Sequence, residues 1–335
     1  MTCITAEPAG CTLDVVETDL LIIGAGPTGL FATYYAGFRG LRVVLVDSLP
    51  ELGGQITAMY PEKRIADVAG FPAVKGRDLV EGLVAQASTA GATHLLERTA
   101  LSLTQEADSV SVGLDDGTTV RAAAVLVTAG IGTFTPRPLP VGPEWVGRGV
   151  EYFVPDFEPY RSKDVVVVGG GDSAFDWAEH LEPLASSVTL VHRRDAFRAH
   201  ERTVAAVRAS SVRILTKAQV VEISGGDAVK AVVVRTDDGV EEVLPCQAVV
   251  AALGFVADLG PIQTWGLETA KRHVVVDSSM RTSLERVFAA GDITDYPGKV
   301  RLIAVGFGEA ATAVNNAAVV IDPSAHVFPG HSSEA

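Results

Sequence analysis

The stretch that decides the fold is "DLLIIGAGPTGLFATYYAGFRGLRVVLVD", Asp19 to Asp47. It opens on a wholly apolar run, the signature of a parallel strand buried on both faces. Gly24-Ala25-Gly26-Pro27-Thr28-Gly29 follows, then a helix-forming segment to about Arg39 and a second apolar run, Arg42 to Val46, that ends on Asp47. Strand, GxGxxG turn, helix, strand and acid in this order form a dinucleotide-binding fingerprint. Gly24 permits the tight turn, Gly26 lets a pyrophosphate approach the backbone, and Gly29 lets the helix lie close to the sheet. The helix N-terminus offers unpaired N–H groups to phosphate. Asp47, 21 residues after Gly26, is placed to accept from ribose hydroxyls.

The device returns in "DVVVVGGGDSAFDWAEHLEPLASSVTLVHRR", Asp164 to Arg194. A strand at Asp164–Val168 leads into Gly169-Gly170-Gly171-Asp172-Ser173-Ala174, a helix to about Leu184, and a strand at Ser187–Val191. Ala174 takes the third glycine position, an accepted variant. Here the strand ends in His192-Arg193-Arg194, with Arg198 one turn on, where an acid normally stands. Arginines grip a 2′-phosphate that an acid would repel. The plainer reading, a solvated basic turn, ignores how specific this position is. An acid at one site and arginines at the other point to FAD and NADP(H).

A third signal is "RVFAAGDITDYPGKVRLIAVGFGEAATAVNNAA". "VFAAG" reads as a strand with Asp292 at its end, and a small-residue helix follows from about Gly306. The order implies an α/β protein of two Rossmann-like three-layer domains, the NADP domain (129–256) inserted into a discontinuous FAD domain (1–128 and 257–335). "TAGIGTFTPRPLPVGP" (Thr128–Pro143) and "ALGFVADLGP" (Ala252–Pro261) are the Gly/Pro-rich crossings. Two Asp-Asp-Gly centres, in "SVSVGLDDGTTVRAAAVLV" and "AVVVRTDDGVEEVLPCQAVVAAL", read as hairpin turns.

Bulk properties exclude several classes. The chain has 335 residues, 47% of them hydrophobic and 20% charged, enough for a large core. A formal net charge of −14 argues against a nucleic-acid role. No run approaches the ~18 uninterrupted apolar residues of a membrane span. The acidic N-terminus does not resemble a signal peptide, so the expected compartment is the cytoplasm. Cys3, Cys11 and Cys246 make no CxxC, and no histidine cluster has metal-ligand spacing.

These residues resemble the flavin disulfide-reductase superfamily, in its low-molecular-weight thioredoxin-reductase branch, through "GGGDSA" and "HRRDAFRAH". That branch carries a CxxC shortly before GGGDSA, where this chain reads "GRGVEYFVPDFEPY". The CxxxxC of the glutathione-reductase branch is missing from "SLPELGGQITAMYPEKRIADVAGFP". A dithiol relay is excluded. The whole chain is similar instead to the thioredoxin-reductase-like (type 2) ferredoxin–NADP reductases, through "LPELGGQ", "MYPEKRIADVAGFP", "GGGDSAFDWA", "HRRDAFRAHE", "FAAGDITDYPGKV" and "GFGEAATAVNNA". The resemblance implies FAD, NADPH, a homodimer and ferredoxin or flavodoxin as partner. It implies that Asp292 holds the ribityl chain and that Gln55, Tyr60, the segment near Ala100, and Phe134 are further FAD contacts. Tyr60 would stack on the isoalloxazine. His331 and Ser333 match a C-terminal extension that covers the flavin, that of the other protomer.

The implied chemistry belongs to the cofactor. Flavin accepts hydride at N5 from NADPH and returns electrons singly, so no protein general base is expected. An NADPH-dependent flavin or quinone reductase stays open as an alternative, and so does a non-catalytic FAD-binding regulator. Docking of an acidic ferredoxin on an acidic chain needs a local basic patch. Lys63, Arg64, Lys299 and Arg301 are the candidates, against the reading that they are ordinary surface charges.

Overall fold

The computed structural model of the chain describes residues 15–328 and 330. Six helices follow in chain order among these residues: α1 (Pro27–Phe38), α2 (Gln55–Met59), α3 (Gly76–Ser88), α4 (Asp172–Leu181), α5 (Glu201–Ala209) and α6 (Ile303–Ile321). Two ends differ from the sequence reading. Helix α4 stops at Leu181 because Pro183, two residues on, has no N–H to continue the ladder. Helix α6 begins a turn earlier than expected and runs through Gly306.

The first sheet has the order Thr93–Leu95, Val43–Val46, Val15–Ile23, Thr119–Val127, Val110–Leu114, Ala100–Gln105. The strands from Thr93–Leu95 to Thr119–Val127 are parallel. Thr119–Val127 then changes partner halfway along its free edge. Its first half pairs antiparallel with Val110–Leu114, and Val125–Val127 pairs in parallel with Val287–Ala289. The C-terminal part of the chain thereby re-enters the first sheet. Leu20, Leu21, Ile22, Val125, Leu126 and Val127 are fully buried. Each large apolar side chain so withdrawn contributes about 1.5–3 kcal/mol.

Residues between those two visits build a second, all-parallel sheet ordered Val150–Glu151, Ala248–Ala252, Asp164–Gly169, Ser187–Val191, Arg213–Leu215. An antiparallel meander, Ala218–Gly225, Val229–Thr236 and Glu241–Pro245, lies beside it. The Asp-Asp-Gly centres are hairpin turns, with Gly117 at φ +90° and Gly239 at φ +87°. The two crossings pair with each other as antiparallel strands, Thr133–Pro136 with Phe255–Asp258. Helix α6 has the length and composition of a membrane span. It is a core helix: Ala310, Ala313, Val314 and Ala317 are fully buried, and it packs on α1 and Thr119–Val127.

Candidate functional site

Four parallel strands of the first sheet end together. Gly24 follows Val15–Ile23, Asp47 follows Val43–Val46, Thr128 follows Thr119–Val127, and Asp292 follows Val287–Ala289 within three residues. Ligands of open α/β sheets bind outside such carboxyl ends. The turn is jammed against backbone. Gly24 sits at φ +110°, and a Cβ there would lie 2.6 Å from the Thr128 carbonyl; one on Gly29 would strike the Gly24 carbonyl and the Thr128 hydroxyl. A Cβ on Gly26 would meet nothing of the protein within 4 Å, so open space faces the start of α1, whose N-cap it is. The loop before α2 leans on the turn: Gly53 N–H donates to Ala25 at 2.9 Å, and Gly54 abuts Gly26.

Asp47 is held by this framework. Ala25 N–H donates to its Oδ2 at 2.5 Å and Leu49 N–H to its Oδ1 at 2.8 Å. Burial pushes its carboxyl above the ordinary carboxylate range, and these backbone donors oppose the shift. Gln55 begins α2 with its amide near Gly130. The segment before Ala100 runs alongside, Arg98 N–H donating to the Asp47 carbonyl at 3.0 Å, but the Ala100 side chain itself is buried in the core. Phe134 lies in the strand Thr133–Pro136. Its side chain, and all of His331 and Ser333, lie outside the described residues.

The second fingerprint is finished differently. Gly169 packs against Ala252 and Ala174, while a Cβ on Gly171, the N-cap of α4, would meet nothing within 4 Å. Asp172 Oδ1 accepts from His200 N–H at 2.8 Å, and Arg198 N–H donates to the Gly170 carbonyl at 2.8 Å. The basic loop thus folds back over the turn. Arg193, Arg194 and Arg198 are exposed and make no ion pair among the described residues. Asp195, between them, is drawn aside by Lys217 at 3.2 Å. His192 is half-buried where the arginines are exposed. Its ring lies on Gly170 and its Nε2 reaches the Ala196 carbonyl at 3.2 Å. Burial, with the arginines in support, lowers its pKa, and the ring props the loop from beneath.

The two regions meet at Tyr60. Its half-buried hydroxyl has Ser173 as hydrogen-bond partner, and burial raises its pKa. Lys63 lies 5.7 Å from the Tyr60 ring centroid and pairs with Asp176 of α4 at 2.7 Å. A tight cleft between them is lined by Tyr60, Lys63, Ser173, Asp176, Trp177 and His180.

The expected basic patch is not as the sequence drew it. Lys299 is withdrawn from solvent, its side chain 2% exposed, and bonded to Glu309, itself 5% exposed, at 2.5 Å. Lys63 is taken by Asp176, and Arg301 stands 3.6 Å from Asp295, leaving Arg64 exposed. Sequence reasoning missed Glu309 and Thr128. Thr128 Oγ1 donates to the Gly24 carbonyl at 2.7 Å. Glu309 is the one charged residue of helix α6, and that was the available signal for it.

Two dinucleotide-type sites on two Rossmann-like domains define a pyridine-nucleotide-dependent flavoprotein fold. The chain belongs to the pyridine nucleotide-disulphide oxidoreductase family, matched over residues 18–317. It is 74% identical over 327 residues to a ferredoxin–NADP reductase of Nocardioides sp. (96% of this chain, 99% of the relative), and 62% identical to one of Frankia alni (94% and 98%). A third, from Halalkalibacterium halodurans, is 50% identical over 94% of this chain and 97% of its own. Among solved structures, the thioredoxin reductase of T. acidophilum superposes with a TM-score of 0.77 at 26% identity, over 90% of this chain and 98% of that one. The dithiol is missing here. Cys246, the one cysteine among the described residues, is buried and its thiol is pushed up to about 12, chiefly by burial.

Proposed function

We propose that the chain is a ferredoxin–NADP reductase that passes electrons between NADPH and ferredoxin or flavodoxin through FAD, with no redox disulfide. The observation that carries this reading is the asymmetry of the two fingerprints, a half-buried acid held by backbone N–H groups closing one and solvent-facing arginines closing the other. Relatives named for this activity match over nearly their full length. Residues 1–128 and 257–335 form the FAD-binding domain in this reading, and 129–256 the NADP-binding domain. Gly24, Gly26, Gly29, Asp47, Gln55, Tyr60, Phe134, Asp292 and the backbone near Ala100 hold FAD. Gly169, Gly171, Asp172, Ser173 and Ala174 take the NADP(H) pyrophosphate, and Arg193, Arg194 and Arg198 the 2′-phosphate. His331 and Ser333 belong to the tail that covers the flavin. The enzyme is a cytoplasmic homodimer.

The open faces of Gly26 and Gly171 fit two cofactors. Bound FAD supplies the hydride and single-electron chemistry. The chain's residues bind and orient. Asp47 and Asp292 accept from hydroxyls, Tyr60 excludes water from one ring face, and the arginines select the phosphorylated nucleotide. Anaerobic mixing tests the proposal. NADPH should bleach the flavin absorption, and oxidised ferredoxin or flavodoxin should restore it. Failure of both proteins, with fast recovery by free FMN or a quinone, would overturn it.

A further inference from the structure

Glu309 and Lys299 form a buried ion pair, the side chains 5% and 2% exposed, directly behind the strand end that carries Asp292. An isolated pair of this kind is poor stability engineering, because well-packed apolar residues of like volume serve as well or better. Its contacts say what else it does. Glu309 Oε2 accepts from Gly291 N–H at 2.7 Å, while Lys299 Nζ donates to the Gly291 carbonyl at 2.9 Å. Thr294 Oγ1 donates to that same carbonyl at 2.8 Å, and Tyr296 Oη donates to Glu309 Oε1 at 2.5 Å. Both polar groups of one glycine are therefore clamped by one ion pair.

That glycine admits little else. Gly291 has φ +84°, and a Cβ there would lie 2.9 Å from Thr28 Oγ1, in the first fingerprint. A Cβ on Gly306 of α6 would lie 2.5 Å from the same hydroxyl. The pair, the fingerprint and α6 thus converge on Gly291. Its carbonyl belongs to the peptide plane shared with Asp292. Fixing that carbonyl on Lys299 turns the Asp292 N–H to the opposite side, and no acceptor among the described residues takes it.

We propose that Lys299 and Glu309 are positioning residues for FAD: they lock the Gly291–Asp292 peptide so that the Asp292 N–H and carboxylate are presented to the cofactor before it arrives. This rests on the reading of Asp292 as an FAD contact. The test is a double-mutant cycle on FAD affinity of the apoprotein, read by flavin fluorescence alongside apoprotein melting. The Lys299→Met/Glu309→Gln variant leaves no lone buried charge. It should melt near wild type and bind FAD about tenfold more weakly. In an Asp292→Ala background the same pair of changes should cost clearly less than in wild type, because the carboxylate is gone and only the backbone N–H is left to position.

Losses that multiply independently would overturn the proposal, as would unchanged affinity. If Asp292→Ala alone leaves FAD affinity intact, the Asp292 reading falls and takes the proposal with it, an outcome distinct from independent losses. Should the double variant melt far below wild type, Glu309→Asp carries the test. It keeps the charge beside Lys299 and shortens the reach to Gly291, so wild-type FAD affinity in that variant would overturn the proposal.

Discussion

The two fingerprints share one backbone plan and differ in how they are closed. At the first, Asp47 is half-buried, both carboxylate oxygens take backbone N–H groups, and the glycines press on Thr128, Ala129 and each other. At the second, the strand runs out into exposed arginines on a loop held over Gly170. A ligand held by rigid backbone loses little freedom in the site itself and dissociates slowly. A ligand gripped by long exposed side chains must order them each time it binds. In the proposed reading, one motif would therefore yield a retained cofactor at the first site and an exchanging one at the second.

The sharpest break in that comparison is Gly29→Ala. The new Cβ would collide with the Gly24 carbonyl and lie 2.8 Å from Thr128 Oγ1, both in the fingerprint turn. Relief requires a backbone shift costing about 1–3 kcal/mol, which corresponds to roughly fivefold to more than a hundredfold in affinity. The purified variant should retain no FAD and melt below wild type. The second fingerprint already carries Ala174 at this position. Retained flavin in Gly29→Ala would show that the first turn is no tighter than the second.

The second effect tests the exposed side. Changing Arg193 and Arg194 to alanine should raise the KM for NADPH by about tenfold or more and leave NADH use nearly unchanged, since only NADPH carries the lost contact. Stability should move by no more than about 0.5 kcal/mol, as expected for exposed side chains. Equal losses with both nucleotides would assign these arginines to structure.

The alternation of apolar strands, the two glycine turns, both hairpins and the acid at position 47 were all legible in the sequence. Each follows from local rules of period and turn chemistry. The return of Val287–Ala289 to the first sheet was legible as an order of segments. The half-and-half edge of Thr119–Val127 was not, because partner choice along one strand is a tertiary matter. Side-chain direction was the main failure. His192 and Arg193 are neighbours in sequence, yet one lies on Gly170 and the other faces solvent. Lys299 looked like a surface lysine, and only its distance to Glu309, ten residues on, reveals a buried pair.

A pH titration separates the two sites more finely. Burial raises the Asp47 carboxyl above its ordinary 3.8, and burial also raises Asp292. An ionised Asp47 accepts from ribose hydroxyls, and a protonated one loses an acceptor. FAD affinity should be full above the raised pKa and fall as pH drops through it, by at most about tenfold per unit per titrating acid. Asp47→Asn should flatten that part of the profile. NADPH affinity should lack this step. The 2′-phosphate loses charge only near its own pKa of about 6. A profile for FAD that Asp47→Asn leaves unchanged would remove Asp47 from the ribose.

The smallest effect lies where the two regions touch. Lys63 and Asp176 pair at 2.7 Å across the junction, with side chains 40% and 20% exposed. A pair so open to water is worth roughly 0.2–1 kcal/mol. Lys63→Met should therefore leave FAD retention unchanged, because the ammonium lies over the Tyr60 ring at 5.7 Å from its centroid, near the outer limit of a cation–π contact. It should also leave NADPH affinity unchanged, since the arginines stand elsewhere. What the pair biases is the contact between α4 and Tyr60, and Ser173 in that contact belongs to the NADP(H) fingerprint. Loss of the pair should change the rate of flavin bleaching by NADPH by no more than about fivefold, the ratio that 1 kcal/mol allows. Asp176→Asn should have a similar effect, and the double variant should add little to either, because both single changes break the same bond. Rapid-mixing traces of the three variants decide it. Independent, multiplying effects would mean that Lys63 and Asp176 act on separate partners and that the two regions are not coupled through this pair.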